Sequence, residues 1–331
     1  SSCTMPTRQP ERSRAVRIGK GRDMSAKEPI AAGASIAFLG LGTMGLGMAA
    51  TLVRSGFDVK GYDPSEAARE IFHAETGKAA ALSAEQAMRD AEAVVCMLPD
   101  GKFVREALLG GATPAVAALN PGGVVVDCSS CAPTDTQALA PDLAAKGYGL
   151  VDCPVSGGVA GTKAGTLTLM AGGEATHVER VRPLLESMGS VIHHTGPVGS
   201  GHAMKTLVNF IGTSQMMLDF QAMLIGERFG LKPETMVEIL DRSYAKNLST
   251  EIVLRQQILS GAFHHNFSLA LAAKDARIAA ETARAVGFGA DTPDHFASLL
   301  EDALKTMGNE DLTYSYKYFD TLWERDNGEE A

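Results

Sequence analysis

The sequence lacks the features that mark a membrane protein, a disulfide-built secreted protein or a nucleic-acid-binding protein. No apolar run approaches the roughly 20 residues that a membrane-spanning helix needs. Five cysteines are an odd number in a chain of 331 residues, so we expect reduced thiols and a cytoplasmic location. The formal net charge of −9 disfavours nucleic acid or an anionic membrane as a partner.

The first 33 residues differ from the rest of the chain. They carry seven Lys and Arg against three Asp and Glu, a local charge of +4, which leaves −13 for the remainder. They show almost no periodic apolar pattern and no apolar core of the kind found in a secretory signal. We expect a disordered basic extension over residues 1–33, or an over-long start with Met24 as the true one; an organelle presequence is the alternative that the three acidic residues disfavour.

Between residues 34 and 196, apolar β-branched segments alternate with amphipathic ones. The predicted strands are 34–40, 57–63, 91–99, 122–129, 148–155, 165–173 and 190–196, and the predicted helices are 44–56, 65–77, 132–147 and 174–189. One Trp and 35 Gly suit a chain with tight turns and close backbone approaches. Because the predicted strands are apolar nearly throughout, we expect a Rossmann-type doubly wound parallel sheet covered on both faces.

Strand signals disappear after about residue 200, and helical periodicity continues to the end of the chain. The segment from Ser200 to Gly230 lacks proline and is predicted to form one long helix. The sequence therefore predicts a cofactor-binding α/β domain over residues 34–196 and an all-helical domain over residues 197–331. The long interdomain helix joins the two.

A glycine-rich motif, Gly40-Leu41-Gly42-Thr43-Met44-Gly45, lies between the first predicted strand and the first predicted helix. A Cβ here would block the turn and keep a pyrophosphate from the amides at the helix N-terminus. Asp63 ends the next predicted strand, where a carboxylate accepts both ribose hydroxyls and repels a 2′-phosphate. No arginine stands at position 64 or 65, so we predict NAD in preference to NADP; a tight turn without a ligand is the alternative.

Cys128 and Cys131 have the C-x-x-C spacing of redox dithiols and of half a zinc site. A zinc site needs two more ligands, and the sequence has no second C-x-x-C and no H-x₃₋₅-H. We therefore predict no metal and give the cysteines no catalytic role. Ser129 and Ser130, between them, follow a predicted strand at the edge where doubly wound sheets place their ligands.

Three further groups are candidates for chemistry. Ser156-Gly157-Gly158 offers a hydroxyl and unhindered amides to a carboxylate, although an ordinary loop is an equal alternative. Lys205 and Asn209 are four residues apart on one face of the long helix, in a mostly apolar segment that would desolvate the ammonium and lower its pKa. Lys274-Asp275 alone would be an ordinary surface pair.

These motifs occur together and in order, and the chain over residues 34–320 resembles the β-hydroxyacid dehydrogenase family, the group around 3-hydroxyisobutyrate dehydrogenase and tartronate semialdehyde reductase. The resemblance lies in "GLGTMGLGMAATL", "DCSSCAP", "DCPVSGGVAGTKAGTLTLMAGG", "GHAMKTLVN" and "AAKDARIA". It implies catalytic roles for Lys205 and Asn209 and substrate binding by Ser129, Ser156, Gly157 and Gly158. The cofactor-binding residues that it implies are Gly40, Gly42, Thr43, Met44, Gly45, Asp63, Leu98, Pro99, Ser130 and Lys274.

The resemblance implies NAD-dependent interconversion of a small β-hydroxy acid and its semialdehyde or keto acid, with NADP as a possible cofactor. It also favours a homodimer or homotetramer. Reduction of tartronate semialdehyde or another semialdehyde, and oxidation of threonate, are alternative activities. The 6-phosphogluconate dehydrogenases share the lysine and asparagine but have a much longer helical domain. A cofactor-binding scaffold without catalysis is the alternative from another class, and the presence of Lys205 argues against it.

Overall fold

The computed structural model describes residues 28–328, with side chains described as far as Leu322. Most of the predicted basic extension, residues 1–27, therefore lies outside the described residues. Residues 28–33 are exposed except for one residue, Ile30, which packs onto the α/β part. Ile30 is buried in its core, and the Ile30 amide donates to the carbonyl of Arg180 at 2.9 Å.

Eight strands form one sheet: β1 (Ser35–Leu39), β2 (Asp58–Tyr62), β3 (Ala93–Cys96), β4 (Val124–Asp127), β5 (Gly149–Asp152), β6 (Val155–Ser156), β7 (Leu167–Gly173) and β8 (Gly189–Gly196). Their order is β2-β1-β3-β4-β5-β7-β6, and β8 also pairs with β7. Strands β1 to β4 are buried nearly throughout, except for the exposed Asp58 and two half-buried positions of β2, as expected for a sheet covered on both faces.

Helices of the α/β part connect these strands: α1 (Thr43–Arg54), α2 (Glu66–Thr76), α3 (Ala84–Met88), α4 (Gly101–Leu109), α5 (Pro133–Ala144), α6 (Gly158–Ala164) and α7 (Ala175–Met188). Two apolar cores lie on the opposite faces of the sheet. One contains Phe38 and Phe72, and the other contains Leu39 and Leu143. The predicted doubly wound α/β fold is confirmed.

The direction of two strands, β7 and β8, differs from the prediction of a parallel sheet. Strand β7 runs antiparallel to β5 and β6 and parallel to β8. Between β6 and β7 stand only residues 157–166, with the short helix α6. A parallel connection needs a crossover of a dozen or more residues, so this connection allows only an antiparallel return. The next connection holds the longer helix α7, and parallel pairing resumes.

The helical part begins with α8 (Ser200–Phe229), the predicted long helix, which runs for 30 residues. It continues with α9 (Pro233–Asp241), a π-type helix (Ser249–Leu259), α10 (Leu269–Ala285), α11 (Asp291–Met307) and α12 (Ser315–Gly328). Its core lies around Phe220 of α8, whose ring meets that of Tyr316 edge to face, with the centroids 5.7 Å apart. No helix within residues 28–328 is both long and apolar enough to cross a membrane.

Candidate active site

The glycine-rich motif forms the turn from β1 to α1. Gly40 has a φ of +94°, and a Cβ there would lie 2.2 Å from the carbonyl oxygen of Met97. A Cβ on Gly45 would lie 1.9 Å from the carbonyl oxygen of Gly40. Gly42, by contrast, faces open space with no atom within 4 Å of a Cβ position, and it precedes the exposed Thr43 and the half-buried Met44. The turn thus leaves the first amides of α1 open to an anion, which fits a dinucleotide.

Asp63 lies at the end of β2, beside this turn. Its two carboxylate oxygens accept from the amides of Leu41 and Ser65, each at 2.9 Å. These contacts fix the carboxylate next to the glycine turn, where it can accept the ribose hydroxyls of a dinucleotide.

Arg69 is a cation beside Asp63 that the sequence pattern at positions 64 and 65 does not indicate. Its guanidinium donates to the backbone carbonyls of Asp63 and Pro64, at 2.7 and 3.0 Å. Arg69 lies in the first turn of α2, and its guanidinium therefore lies at the end of β2. Arg69 is four residues after Ser65, the N-cap of α2, and this helical spacing is the sequence signal for its position.

Lys205 and Asn209 lie one turn apart on α8, and Asp275 of α10 bonds Asn209 and acts electrostatically on Lys205. Asn209 donates its side-chain amide to the Asp275 carboxylate at 2.6 Å. Burial lowers the pKa of Lys205, and the carboxylate of Asp275 partly opposes this shift. Burial also raises the pKa of Asp275, against the effects of Lys274, Asn209 and Lys205. The lowered pKa that the apolar sequence predicts for Lys205 is therefore present.

Lys274 connects α10 to the ends of two strands. Its ammonium donates to the carbonyls of Pro99 and Ser130, both at 3.0 Å, and lies 3.9 Å from a carboxylate oxygen of Asp275. Leu98 and Pro99 follow β3, and Ser130 follows β4, so three groups of predicted cofactor-binding residues meet at one edge of the sheet. Lys205 lies on the neighbouring helix, whose Asn209 is held by Asp275.

The side chain of Ser129, which the resemblance assigns to substrate binding, is buried just after the end of β4. It is 0% exposed, and its hydroxyl accepts from the Leu98 amide at 2.9 Å. Its own amide donates to the Asp127 carboxylate at 3.0 Å. Residues that follow each other in extended chain face opposite sides, and here Ser130 is the partly exposed serine. The buried hydroxyl joins the ends of β3 and β4.

The Ser156-Gly157-Gly158 segment joins β6 to α6. Ser156 is half-buried, and the two glycines are exposed. Gly157 has a φ of +133° and Gly158 a φ of +61°, values that favour glycine. The segment therefore presents a hydroxyl and exposed backbone amides, as the sequence suggests for a carboxylate.

The C-x-x-C thiols face the protein interior. Cys128 and Cys131 are buried free thiols. A hydrogen bond with Cys153 and burial raise the pKa of Cys128, while burial and the nearby Asp127 raise the pKa of Cys131. Because the thiolate is the reactive form, neither cysteine is suited to redox exchange.

Cys131, Asp127 and His202 have ligand atoms within 4.8 Å of one another, the kind of cluster that could hold a metal ion. Each already has a protein partner. Cys131 donates to Asp127 at 3.4 Å, Asp127 also accepts from the Ser129 amide, and both ring nitrogens of His202 have oxygen partners. These contacts form a hydrogen-bonded network.

Comparison with known proteins matches two family models along the chain. Residues 35–196 match the NAD-binding domain of 6-phosphogluconate dehydrogenase. Residues 199–319 match the NAD-binding domain of NADP-dependent 3-hydroxyisobutyrate dehydrogenase. Together the two matches cover nearly all of the described residues.

Two curated relatives come from Pseudomonas aeruginosa. An NAD-dependent L-serine dehydrogenase is 37% identical over 256 residues, which cover 76% of this chain and 85% of that protein. A 3-hydroxyisobutyrate dehydrogenase is 37% identical over 257 residues, which cover 76% of this chain and 86% of that protein. Among solved structures, the Mycobacterium tuberculosis 3-hydroxyisobutyrate dehydrogenase with L-serine has a TM-score of 0.79 at 30% identity and covers 86% of this chain and 98% of its own.

Proposed function

Because the chain belongs to the β-hydroxyacid dehydrogenase family and is an NAD(P)-dependent dehydrogenase of hydroxyl groups, we propose that it oxidises a small β-hydroxy acid to its semialdehyde or keto acid, reversibly, with Lys205 as the general acid and base. The observation that carries the proposal is the cluster of Lys205, Asn209 and Asp275. Burial lowers the pKa of this lysine, so at a given pH more of it is the neutral amine that can accept a proton.

The roles of the residues follow from their surroundings. In oxidation, the neutral amine of Lys205 takes the proton of the substrate hydroxyl; in reduction, its ammonium returns that proton to the carbonyl oxygen. Asn209, fixed by Asp275 at 2.6 Å, orients the substrate and the lysine. When bound, the nicotinamide supplies the hydride acceptor or donor. The motif Gly40–Gly45 and Asp63 would hold the dinucleotide, with Leu98, Pro99, Ser130 and Lys274 at its nicotinamide end.

The substrate carboxylate is assigned to the segment Ser156-Gly157-Gly158. The exposed amides of this segment and the Ser156 hydroxyl suit an anion. Ser129 supports the site indirectly, because its buried hydroxyl holds the Leu98 amide at the end of β3. Direct contact of Ser129 with the substrate stays a prediction.

The names of the relatives suggest the chemical class of the substrate. L-Serine and 3-hydroxyisobutyrate each carry a primary hydroxyl on the carbon β to a carboxylate, and they differ in the group on the α carbon. We propose this class, with NAD preferred to NADP because of Asp63. The cytoplasm stays the proposed compartment because of the odd number of cysteines in a large chain.

A substrate panel tests the proposal. L-Serine, 3-hydroxyisobutyrate, glycerate, threonate and the corresponding semialdehydes are assayed with NAD and with NADP, by the absorbance of the reduced nicotinamide. We expect turnover of at least one primary β-hydroxy acid, with a higher kcat/KM for NAD. If the protein binds NAD but turns over no compound of the panel, a cofactor-binding scaffold without catalysis is favoured instead.

We also propose a homodimer or homotetramer that uses helix α8. Along this helix Met204, Ile211, Leu218 and Ile225 recur every seven residues and are 41%, 52%, 56% and 70% exposed. A seven-residue apolar repeat is the pattern of helices that pack against one another. In a symmetric oligomer a second copy of the chain presents the same four residues to this face. Light scattering should give a dimer or tetramer, and Leu218→Glu should lower the mass, whereas Leu82→Glu, an exposed leucine of the α/β part, should not. A monomeric wild type would contradict this proposal.

A further inference from the structure

The N-terminus of helix α8 is fixed by a buried carboxylate of the sheet. Asp152, at the end of β5, is 0% exposed. One of its oxygens accepts from the Gly199 amide at 2.7 Å, and the other accepts from the His202 amide at 2.9 Å. Asp152 therefore acts as an N-cap that comes from another element, because the helix has no side-chain cap of its own.

The first turn of α8 lies directly on the sheet. A Cβ on Gly201 would lie 2.2 Å from the Met170 carbonyl oxygen and 2.6 Å from that of Asp152. A Cβ on Gly172, in β7, would lie 2.8 Å from the Gly201 amide nitrogen. These close approaches fix the start of α8 relative to strands β5 and β7.

The side chain of His202 extends from this turn into the protein and is almost fully buried. Its Nε2 lies 3.0 Å from the carbonyl oxygen of Ser129, and its Nδ1 lies 2.7 Å from the hydroxyl of Thr136. A carbonyl oxygen only accepts, so its partner assigns the hydrogen to Nε2. In the neutral ring, Nδ1 then accepts from the Thr136 hydroxyl.

Two consecutive carbonyls after β4 are thus held by two helices of the helical part. The Ser129 carbonyl accepts from His202 of α8, and the Ser130 carbonyl accepts from Lys274 of α10. His202 precedes Lys205 by three residues, so both lie on the same side of α8. The imidazole is the link between the helix that carries the lysine and the segment that carries Ser130.

We propose that His202 is a positioning residue for the dehydrogenase reaction, holding the Ser129–Ser130 segment at a fixed distance from Lys205. The proposal rests on the proposed function, in which Lys205 exchanges the proton and Ser130 lies at the nicotinamide end. The ring itself is almost fully buried, and both of its nitrogens have protein partners. It would act by fixing where Lys205 stands relative to the nicotinamide end of the site, and the rate of reaction is sensitive to this placement.

The test compares His202→Asn with His202→Gln. The amide nitrogen of glutamine can reach the position of Nε2 and donate to the Ser129 carbonyl, whereas the shorter asparagine ends near the position of Nδ1. We expect His202→Asn to lower kcat by about tenfold to a hundredfold, the range for small misplacements of reacting groups. The KM of the acid and the Kd of NAD should stay within about threefold, and His202→Gln should recover kcat to within about threefold of the wild type.

Rates are expressed per NAD-binding site, so that unfolded protein does not count. A kcat of His202→Asn within about threefold of the wild type would overturn the proposal, as would equal losses in both variants, since a purely structural role gives no rescue. If His202→Asn does not fold, Thr136→Val keeps the ring and removes the hydroxyl that orients it. An unchanged kcat in that variant would likewise overturn the proposal.

Lys205→Met separates the two claims. If this variant keeps wild-type turnover, the proposed function fails. If Lys205→Met is inactive while His202→Asn keeps the wild-type kcat, only the positioning role of His202 fails.

Discussion

The side-chain amide of Asn209 donates to the carboxylate of Asp275 at 2.6 Å, which joins helix α8 to helix α10 beside Lys205. Burial lowers the pKa of this lysine, and the charge of Asp275 raises it. Oxidation requires the neutral amine, so the acidic limb of the kcat/KM profile reports the pKa of Lys205. This limb should lie below the ordinary value for lysine, 10.5.

Asp275→Asn should move this limb to lower pH. An asparagine carbonyl can still accept from Asn209, but the negative charge that favours the ammonium form is lost. The pKa of Lys205 then falls further, and oxidation gains activity on the acidic side. The measurement is the pH profile of kcat/KM for oxidation, with Asp302→Asn, an exposed partner of Lys305, as the control. A limb that moves to higher pH would contradict the assignment of Asp275.

Asp63→Asn should weaken the preference for NAD. The variant loses the charge that repels a 2′-phosphate, while Arg69 still stands at the end of β2. We expect the ratio of kcat/KM for NADP to that for NAD to rise by about tenfold, the effect of one unit charge at a few ångströms in water. Adding Arg69→Met should cancel most of that gain. An unchanged ratio in Asp63→Asn would show that the carboxylate does not select the cofactor.

Replacing Cys128 and Cys131 by Ala should leave kcat and KM close to those of the wild type. Both thiols are buried, and the raised pKa values keep them protonated. Each variant removes buried sulfur, so the free energy of unfolding should fall by about 1–2 kcal/mol. Steady-state kinetics and urea unfolding measure the two effects. A folded double variant without turnover would restore a catalytic role to the C-x-x-C.

Gly201→Ala and Gly212→Ala form a matched pair on helix α8. The first places a Cβ 2.2 Å from the Met170 carbonyl oxygen, whereas the second has no atom within 4 Å. We expect Gly201→Ala to lose turnover and to destabilise the protein by about 1–3 kcal/mol through overpacking. Gly212→Ala should be as stable as the wild type or up to about 1 kcal/mol more stable, from helix propensity. Equal behaviour of the two variants would argue against close docking of α8 on the sheet.

Elements with a strong local pattern could be predicted from the sequence. The absence of proline from residues 200–230 predicts one long helix, and α8 covers Ser200–Phe229. The spacing of Gly40, Gly42 and Gly45 predicts a turn between a strand and a helix, and in the structure a Cβ on Gly45 would collide with the Gly40 carbonyl of that same turn.

Contacts between elements that are far apart along the chain could not be predicted from the sequence in this way. The antiparallel direction of β7 depends on the short connection through α6, and the sequence signal of β7 is the same for either direction. Asp275 is linked to Asn209 only through the packing of α10 against α8. Of the two serines after β4, the sequence could not tell that Ser129 faces inward, because that depends on the Leu98 amide of the neighbouring strand.

His202 illustrates the same limit. In the sequence it is one residue of the segment around Lys205, with no partner in reach along the chain. Its role depends on the Ser129 carbonyl and the Thr136 hydroxyl, 73 and 66 residues away.

The most direct measurement compares Lys205→Met with the wild type, by calorimetric titration of NAD and by kcat for the best acid of the panel. Methionine keeps the length of the side chain and its apolar stem but cannot exchange a proton. We predict that the Kd of NAD stays within about threefold of the wild type, while kcat falls by about 10²–10⁴-fold, the range for loss of a general acid and base. A Lys205→Met variant that binds NAD and turns over at the wild-type rate would contradict the account.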